Sequence, residues 1–543
     1  MNLLDYFPEG FSPRETQILL LQAIEPLLLD TTKKYIVVRA PTGSGKSAIC
    51  TTISNFFRSQ NKKSYLLCSR KYLQTQYLDE YSRVYSNFWG KANYRCPLIS
   101  ASCSGCPADN SIDAAAYMRF LRFNCTTNKV GDKCPYIVAR DKAQIADSSL
   151  LNFEAFMANS ISGLWSQRDI MLVDEAHCLA DRTVGFFEVK VNPAWAKPPK
   201  PTKKTRGNKE NLRVTKESKE LKKVLEMYNS KVYSLQASKL SVPRDLLNAI
   251  NYLETDGVDW ILDFDTGTFI PITLRPLLDK YLFSFVEKVV LLSATLTPNM
   301  CKELGLNGSN STYLEVESTF PKENNLIFTL PSIGKLNRAN LAKEQTSKKL
   351  AEKVLKIRLM HEINRGIIHT VSYKLVETLH SALEAYLLEL SDESNKYTAE
   401  SMGFFFHEKG TNIDELLEKY KSTEGAVLVT PSLSEGFDGK GDLLGWQIIL
   451  KCPFPYMGEP RIKELLNSKF GNVLFKERAI ATVLQTLGRG IRSKEDRCYT
   501  YIFDANITSI LSDCSRKSSK HYTSTSKYFK DLWKTRKVSK LIK

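Results

Sequence analysis

The chain has no run of the roughly 18–20 apolar residues that a membrane helix needs. Its richest stretch, Ile18–Leu29, is broken by Glu25. A leader is lacking too: the N-terminus, MNLLDYFPEG, has no basic region followed by an apolar segment, which argues against secretion. Without one, twelve cysteines imply a reducing, intracellular compartment, cytoplasmic in a bacterial or phage-infected cell and nuclear in a eukaryotic one. Clustered thiols there are metal ligands more often than disulfides. Uniform charge is also absent. The net charge is +17, yet Lys197–Lys223 carries eleven basic and three acidic residues, and Arg516–Lys543 ten basic and one acidic. These two stretches hold the whole surplus, so a polyanion would meet two basic patches and not a basic body. Either patch also reads as a solvated tail, and the Pro-rich start of the first, AKPPKPTKKTRGNK, reads as a flexible loop.

At 543 residues the length calls for three to four folding units, and 43% hydrophobic with 25% charged residues suits a globular protein. Residues 35–39 (YIVVR) read as a short buried strand entering a Gly-rich turn, with a helix over 48–58. Tyr65–Cys68, Ile170–Val173, Val289–Leu292, Gly366–His369, Ala426–Val429, Gln447–Leu450 and Tyr499–Phe503 repeat that apolar pattern. Apolar strands separated by helix-length segments predict parallel α/β sheets, and there are enough for two. Three stretches break the rhythm: about 86–140, about 182–283, and the basic C-terminal tail. The first two read as insertions into the first sheet domain.

The turn Ala40-Pro-Thr-Gly-Ser-Gly-Lys-Ser47 follows a strand and opens a helix. Its N–H groups can converge on phosphate oxygens at the positive end of that helix. Lys46 is placed to reach the β- and γ-phosphates, and the Ser47 hydroxyl to hold Mg²⁺. Position 40 is Ala where the strict pattern has Gly; Gly43 and Gly45 keep the turn pliable. Asp174-Glu-Ala-His177 follows the apolar strand IMLV. Asp174 is placed to bind Mg²⁺ through water, and Glu175 to orient and deprotonate the attacking water; an acidic pair there is otherwise a helix N-terminus. In Gln485-Thr-Leu-Gly-Arg-Gly-Ile-Arg492, Arg489 and Arg492 lie one helical turn apart and can stabilise the charge that develops on a γ-phosphate. Gly488 and Gly490 argue against a plain surface arginine pair, because glycine weakens a helix unless close approach requires it.

With these motifs in order, the chain resembles superfamily 2 helicases of the XPD/DinG type along nearly its whole length. Arg14-Glu-Thr-Gln17 resembles their R-x-x-Q element near the adenine, Leu73-Gln-Thr-Gln76 motif Ia, and Asn152-Phe153 the pair preceding the DEAH box. Ser293-Ala-Thr295 resembles motif III, which couples hydrolysis to strand movement. Ser372-Tyr373 lies where motif IV would be, Ser434-Glu-Gly-Phe-Asp438 resembles motif V, and Gln485–Arg492 motif VI. Cys498 stands where relatives often have Gly. The resemblance implies catalytic roles for Lys46, Asp174, Glu175, Gln485, Arg489 and Arg492. It implies nucleotide contacts from Arg14, Gln17, Gly43, Ser44, Gly45, Lys46, Ser47, Asp174 and Asp438, with ATP and Mg²⁺ as cofactors.

Five cysteines, Cys96, Cys103, Cys106, Cys125 and Cys134, follow the spacing Cys-x6-Cys-x2-Cys-x18-Cys-x8-Cys between the phosphate loop and the acidic box. Thiolates select zinc or iron–sulfur clusters, and spacing alone does not choose between them. Zinc sites with four cysteines usually show two close pairs, whereas only Cys103 and Cys106 form one here. The family's 4Fe–4S helicases begin this module with an N-Y-x-C-like sequence and end it with C-P-Y, which Asn93-Tyr-Arg-Cys96 and Cys134-Pro-Tyr136 resemble. The resemblance implies a 4Fe–4S cluster on Cys96, Cys106, Cys125 and Cys134, with Cys103 as the spare and rival to Cys106.

The implied architecture is two RecA-like parallel-sheet motor domains. The first comprises 1–85, 141–181 and 284–330, interrupted by an iron–sulfur insertion (86–140) and a mainly helical arch (182–283) with a basic loop (197–223). The second spans 331–515, followed by a basic tail (516–543). The implied activity is ATP-driven translocation along single-stranded DNA, 5′→3′ as in relatives, with the iron–sulfur module as the wedge that parts the duplex. Single-stranded DNA and duplex junctions are the implied partners of a monomeric protein. Phe88, Trp89 and Tyr94 are placed either to stack on bases or to lie in the core. Competing readings are a translocase that remodels protein–DNA or RNA–DNA structures without unwinding, a motor on RNA, and a nucleotide-regulated binding module. A nuclease role finds no additional carboxylate cluster and no exonuclease-like extension.

Overall fold

The computed structural model describes residues 2–95, 134–201, 211–330, 333–392, 396–431, 443–468, 471–491 and 493–538. Two compact units divide the chain. The first comprises Met1–Val38, Lys46–Leu314 and Met457–Glu464, the second Arg39–Gly45, Glu315–Tyr456 and Leu465–Lys543.

In chain order the first sheet region contributes β1 (Tyr35–Arg39), β2 (Ser64–Cys68), β3 (Ser86–Phe88), β4 (Ser148–Asn152) and β5 (Arg168–Val173). An inserted region then supplies β6 (Val189–Lys190), β7 (Asn211–Val214), β8 (Trp260–Asp263) and β9 (Thr268–Pro271). The chain returns with β10 (Val286–Ser293) and β11 (Ser311–Glu315). The large sheet runs β11-β1-β10-β5-β2-β4-β3, with β5 paired in parallel to both β10 and β2. β1, β2 and nearly all of β5 are buried, as expected of strands covered on both faces.

The second unit holds β12 (Asn325–Thr329), β13 (Gly366–His369), β14 (Phe404–Phe406), β15 (Val427–Thr430), β16 (Trp446–Ile449), β17 (Cys498–Ile502) and β18 (Lys537–Val538). Their order is β14-β15-β13-β16-β17-β12-β18, and every neighbouring pair is parallel. The two parallel α/β sheets expected from the apolar runs are both present, in the RecA-like arrangement. At Gly366 a side chain would collide with the Trp446 indole of the adjacent strand, so only a residue without Cβ fits there.

In two regions the structure adds to the sequence reading. The inserted segment carries helices Lys219–Ala237 and Arg244–Leu253, but also a four-stranded antiparallel sheet, β6-β9-β8-β7, which had no sequence signal because its strands are only two to four residues long. Over its described residues the C-terminal basic stretch is a folded element, not a solvated tail. Helix Lys527–Lys534 buries Phe529, Leu532 and Trp533 in the core beside Ile480, Val483 and Ile510, and β18 adds an edge to the sheet. The Glu317 carboxylate accepts the backbone N–H groups of Lys527 and Tyr528 at that helix's N-terminus, where negative charge is favoured.

Candidate active site

The phosphate loop is built by its glycines. Gly43 and Gly45 adopt φ of 75° and 73°, left-handed conformations that a side chain would strain. Ser44 Oγ donates to the Pro41 carbonyl at 2.7 Å, closing the turn, and helix Lys46–Ser59 begins directly after it. Lys46 is buried despite its charge, and its Nζ lies 3.8 Å from Glu175 Oε1. Ser47, also on the helix's first turn, lies beside the Tyr81 side chain.

β5 ends on the acidic box. Asp174 is 4% exposed, and both carboxylate oxygens are engaged: the Tyr77 hydroxyl donates to Oδ2 at 2.9 Å, and the Glu175 N–H to Oδ1 at 2.9 Å. Burial and the neighbouring Glu175 raise its pKa to about 6, against the pull of Lys46 and the Tyr77 hydrogen bond. Glu175 sits at φ 52°, ψ 45°, a left-handed conformation that costs a non-glycine residue on the order of 1 kcal/mol. His177 Nδ1 lies 3.2 Å from Glu175 Oε2 and 3.1 Å from Ser293 Oγ. Ser293 Oγ in turn accepts the Thr295 N–H at 3.1 Å. Lys46, Glu175, His177 and Ser293 therefore form one chain of contacts linking the phosphate loop, the acidic box and the Ser293-Ala-Thr295 turn. Tyr77 and His177 were missed as site residues: each is defined by a neighbour about a hundred residues away, which no local pattern reports.

In the second unit, Gln485 lies near the end of helix Gly471–Leu487, and Arg489 on the single turn Gly488–Gly490; both are buried. The two glycines are required by close approach. A Cβ on Gly488 would collide with the Thr42 side chain, and one on Gly490 with the Cys498 Sγ. Cys498 thus fills the space that Gly490 leaves at the start of β17. Arg489 also depresses His369 at the end of β13, whose pKa is pushed down to about 3, chiefly by burial. Arg39, the last residue of β1, donates to the carbonyls of Thr523 and Ser524 and pairs with Glu315 at 3.5 Å. The C-terminal element therefore holds Arg39, the residue that leads into the phosphate loop.

Gln17 caps its own helix, its Oε1 accepting the Arg14 N–H at 2.8 Å. Asp438 and Arg492 lie outside the described residues, as do Cys96, Cys103, Cys106 and Cys125. Cys134 is described: a half-buried thiol, outside any disulfide, at the N-cap of helix Pro135–Ile145. Among the described residues no group of three or more His, Cys, Asp or Glu side chains converges as a metal site. Phe88 is core, packed with Tyr136 and Trp165, whereas Trp89 and Tyr94 are half-buried and Lys71 Nζ lies 5.2 Å from the Trp89 ring centre. Among the described residues no helix is long and apolar enough to cross a membrane.

Two parallel seven-stranded sheets, with a phosphate loop and acidic box at the strand ends of the first, define the fold class: an α/β protein with two RecA-like sheets. Residues 357–522 match the family described as "Helicase C-terminal domain", and residues 10–197 that of "Type III restriction enzyme, res subunit". A curated relative, "ATP-dependent DNA helicase YoaA" of Haemophilus influenzae, is 27% identical over 218 residues, which span 38% of this chain and 30% of that protein. Two solved structures share the fold. "XPD_Helicase" has a TM-score of 0.61 at 16% identity over 97% of this chain and 99% of the other. "Structure of S. tokodaii Xpd4" has a TM-score of 0.56 at 13% identity over 93% and 98%. In fold the chain is similar to these XPD structures, and in parts of its sequence it is similar to the helicase C-terminal domain and to the YoaA helicase.

Proposed function

We propose that this protein is an ATP-dependent DNA helicase that moves 5′→3′ along single-stranded DNA and unwinds duplex, inside the cell and as a monomer. The observation that carries the reading is the contact chain Lys46–Glu175–His177–Ser293, which gathers three motor motifs on one sheet. Lys46, held near Glu175, is poised to turn to the phosphates of ATP. Glu175 orients the attacking water and takes its proton, with its carboxylate positioned by His177. Ser47 and Asp174 would hold Mg²⁺, whose charge would offset that of the phosphates. Gln485, Arg489 and Arg492 would stabilise the charge that develops as the γ-phosphate leaves, and Asp438 would contribute to the nucleotide site. Ser293, bonded to His177, is placed to feel changes at the acidic box.

A thiolate set at Cys96, Cys106, Cys125 and Cys134 suits a 4Fe–4S cluster, and Cys134 fits as a ligand because its thiol is half-buried and outside any disulfide. The bound cluster would supply a rigid, closed loop at the proposed wedge. The bands 86–140 and 182–283 are the proposed iron–sulfur and arch insertions, and strand contacts would be mainly to phosphate.

The test is turnover with and without single-stranded DNA or matched RNA, unwinding of 5′- and 3′-tailed duplexes, and metal content after anaerobic purification. DNA stimulation, unwinding from a 5′ tail and about four irons per chain support the reading. Unstimulated turnover, unwinding only from a 3′ tail, or a colourless protein with one zinc contradicts the corresponding part.

A further inference from the structure

Residues Met457–Glu464 belong to the first unit, although the chain on either side of them belongs to the second. There Arg461, on helix Pro460–Asn467, has a side chain only 6% exposed. Its Nη2 pairs with Glu303, itself 8% exposed, and Nη1 lies 3.4 Å from Asp181 Oδ1. Glu188 and Glu459 are close enough to interact as well: burial and Glu459 push the Glu188 pKa up, and Arg461 pulls it down.

The partners are informative. Asp181 lies on helix Leu179–Phe187, which leaves the acidic box, and Glu303 ends helix Pro298–Glu303, which follows Ser293-Ala-Thr295. One guanidinium thus bridges the two helices whose motifs already meet through His177 and Ser293. A buried ion pair is a poor source of stability compared with apolar packing, whereas the planar fork of Arg suits holding two carboxylates in register. One turn further on, Glu464 Oε1 lies 3.9 Å from Arg213 Nη1, and Arg213 also holds Asp259 at 2.5 Å. Arg213 is in β7, within the basic stretch 197–223, and is well exposed.

We infer that helix Pro460–Asn467 is a coupling element. A nucleic-acid strand at the basic stretch competes with Glu464 for Arg213, and the positioning residue Arg461 passes the change to the helices behind the acidic box and the Ser293-Ala-Thr295 turn. The phosphate charge of the strand supplies the competition, and the two-carboxylate grip of Arg461 supplies the transmission. This deepens the helicase reading and rests on it.

The test compares wild type with Glu464→Gln, Arg461→Lys and the charge swap Arg461→Glu/Glu303→Arg. Readouts are basal turnover, turnover with a single-stranded DNA oligonucleotide, thermal stability, and hydrogen exchange of residues 293–303. Glu464→Gln and Arg461→Lys should each cut DNA stimulation by about fivefold or more while basal turnover and melting temperature stay near wild type. The swap should recover more stimulation than Arg461→Glu alone. Unchanged stimulation in both single variants overturns the inference, as does a loss matched by an equal loss of basal turnover and stability. If the wild type shows no DNA stimulation, the helicase reading fails. The clamp is then decided by hydrogen exchange: faster exchange of 293–303 in Arg461→Lys supports it, and unchanged exchange overturns it.

Discussion

The two large sheets have the same number of strands, yet their strand ends carry opposite chemistry. In the first, β5 delivers Asp174 and Glu175 beside Lys46, so buried charges are kept in place by one another and by the Tyr77 hydroxyl. In the second, β13 and β15 end in neutral polar groups: His369 Nε2 lies 3.3 Å from Gln447 Oε1, Gln447 donates to Thr500 at 2.9 Å, and His407 meets Thr430 at 2.9 Å. The one cation among the proposed catalytic groups described there, Arg489, sits on a turn and not at a strand end. The same parallel scaffold thus carries the proposed hydrolytic groups in one unit and neutral polar ends of β13 and β15 in the other. Burying charge is costly unless it is paired, and at the end of β5 the contact of Lys46 with Glu175 offsets part of that cost.

The comparison predicts unequal losses of function. Arg489→Ala should lower ATP turnover by about three orders of magnitude or more while ATP still binds, as checked by nucleotide affinity alongside steady-state turnover. Glu175→Gln should cost roughly 10²–10⁴ in turnover, again with binding retained. A variant of either kind with normal turnover would break the assignment of chemistry to these two places.

Acid should act on the two strand ends with opposite sign. His369 titrates near 3 in the fold and at about 6.5 when unfolded, so its contribution to stability is present above pH 6.5 and is lost as pH falls towards 3. Asp174 titrates near 6 in the fold and at about 3.8 unfolded, so the folded state holds a proton that the unfolded state has released. Its contribution is present below about 3.8 and is lost as pH rises through 6. Thermal unfolding from pH 4 to pH 7 should therefore show a shallower rise of stability with pH in His369→Asn and a steeper one in Asp174→Asn. Equal slopes would erase the contrast.

The smallest effect is expected at the C-terminal element. Replacing the exposed Lys517, Lys520 and Lys527 by Ala should weaken DNA binding and reduce its salt dependence by about one unit of slope for each phosphate no longer neutralised, leaving basal turnover unchanged. Deleting the whole element would not make the same test, because Trp533 and Phe529 are core and Thr523 and Ser524 hold Arg39.

Much of this was legible in the residues. Gly366–His369 is a strand with the same limits in the sequence reading and in the fold, because its apolar run has no polar interruption. β4 escaped notice because two of its five residues are serines, which become tolerable in the core only through Ser64 Oγ, 2.9 Å from Ser148 Oγ, and the Ala143 carbonyl that accepts from Ser149. The C-terminal helix was hidden by its lysines, although Phe529, Leu532 and Trp533 stand at helical spacing. The phosphate loop and acidic box were readable as motifs. The contacts of Tyr77 with Asp174 and of His177 with Ser293 were not, since they exist only once β2, β5 and β10 lie side by side.

The central claim is that Lys46, Asp174 and Glu175 form the hydrolytic centre of a DNA-driven motor. Its most direct test is ATP turnover of the wild type and of Glu175→Gln, each with and without single-stranded DNA. DNA should accelerate the wild type, and Glu175→Gln should bind ATP without turning it over in either condition. Turnover by Glu175→Gln comparable to wild type, or a wild type indifferent to DNA, would contradict the claim.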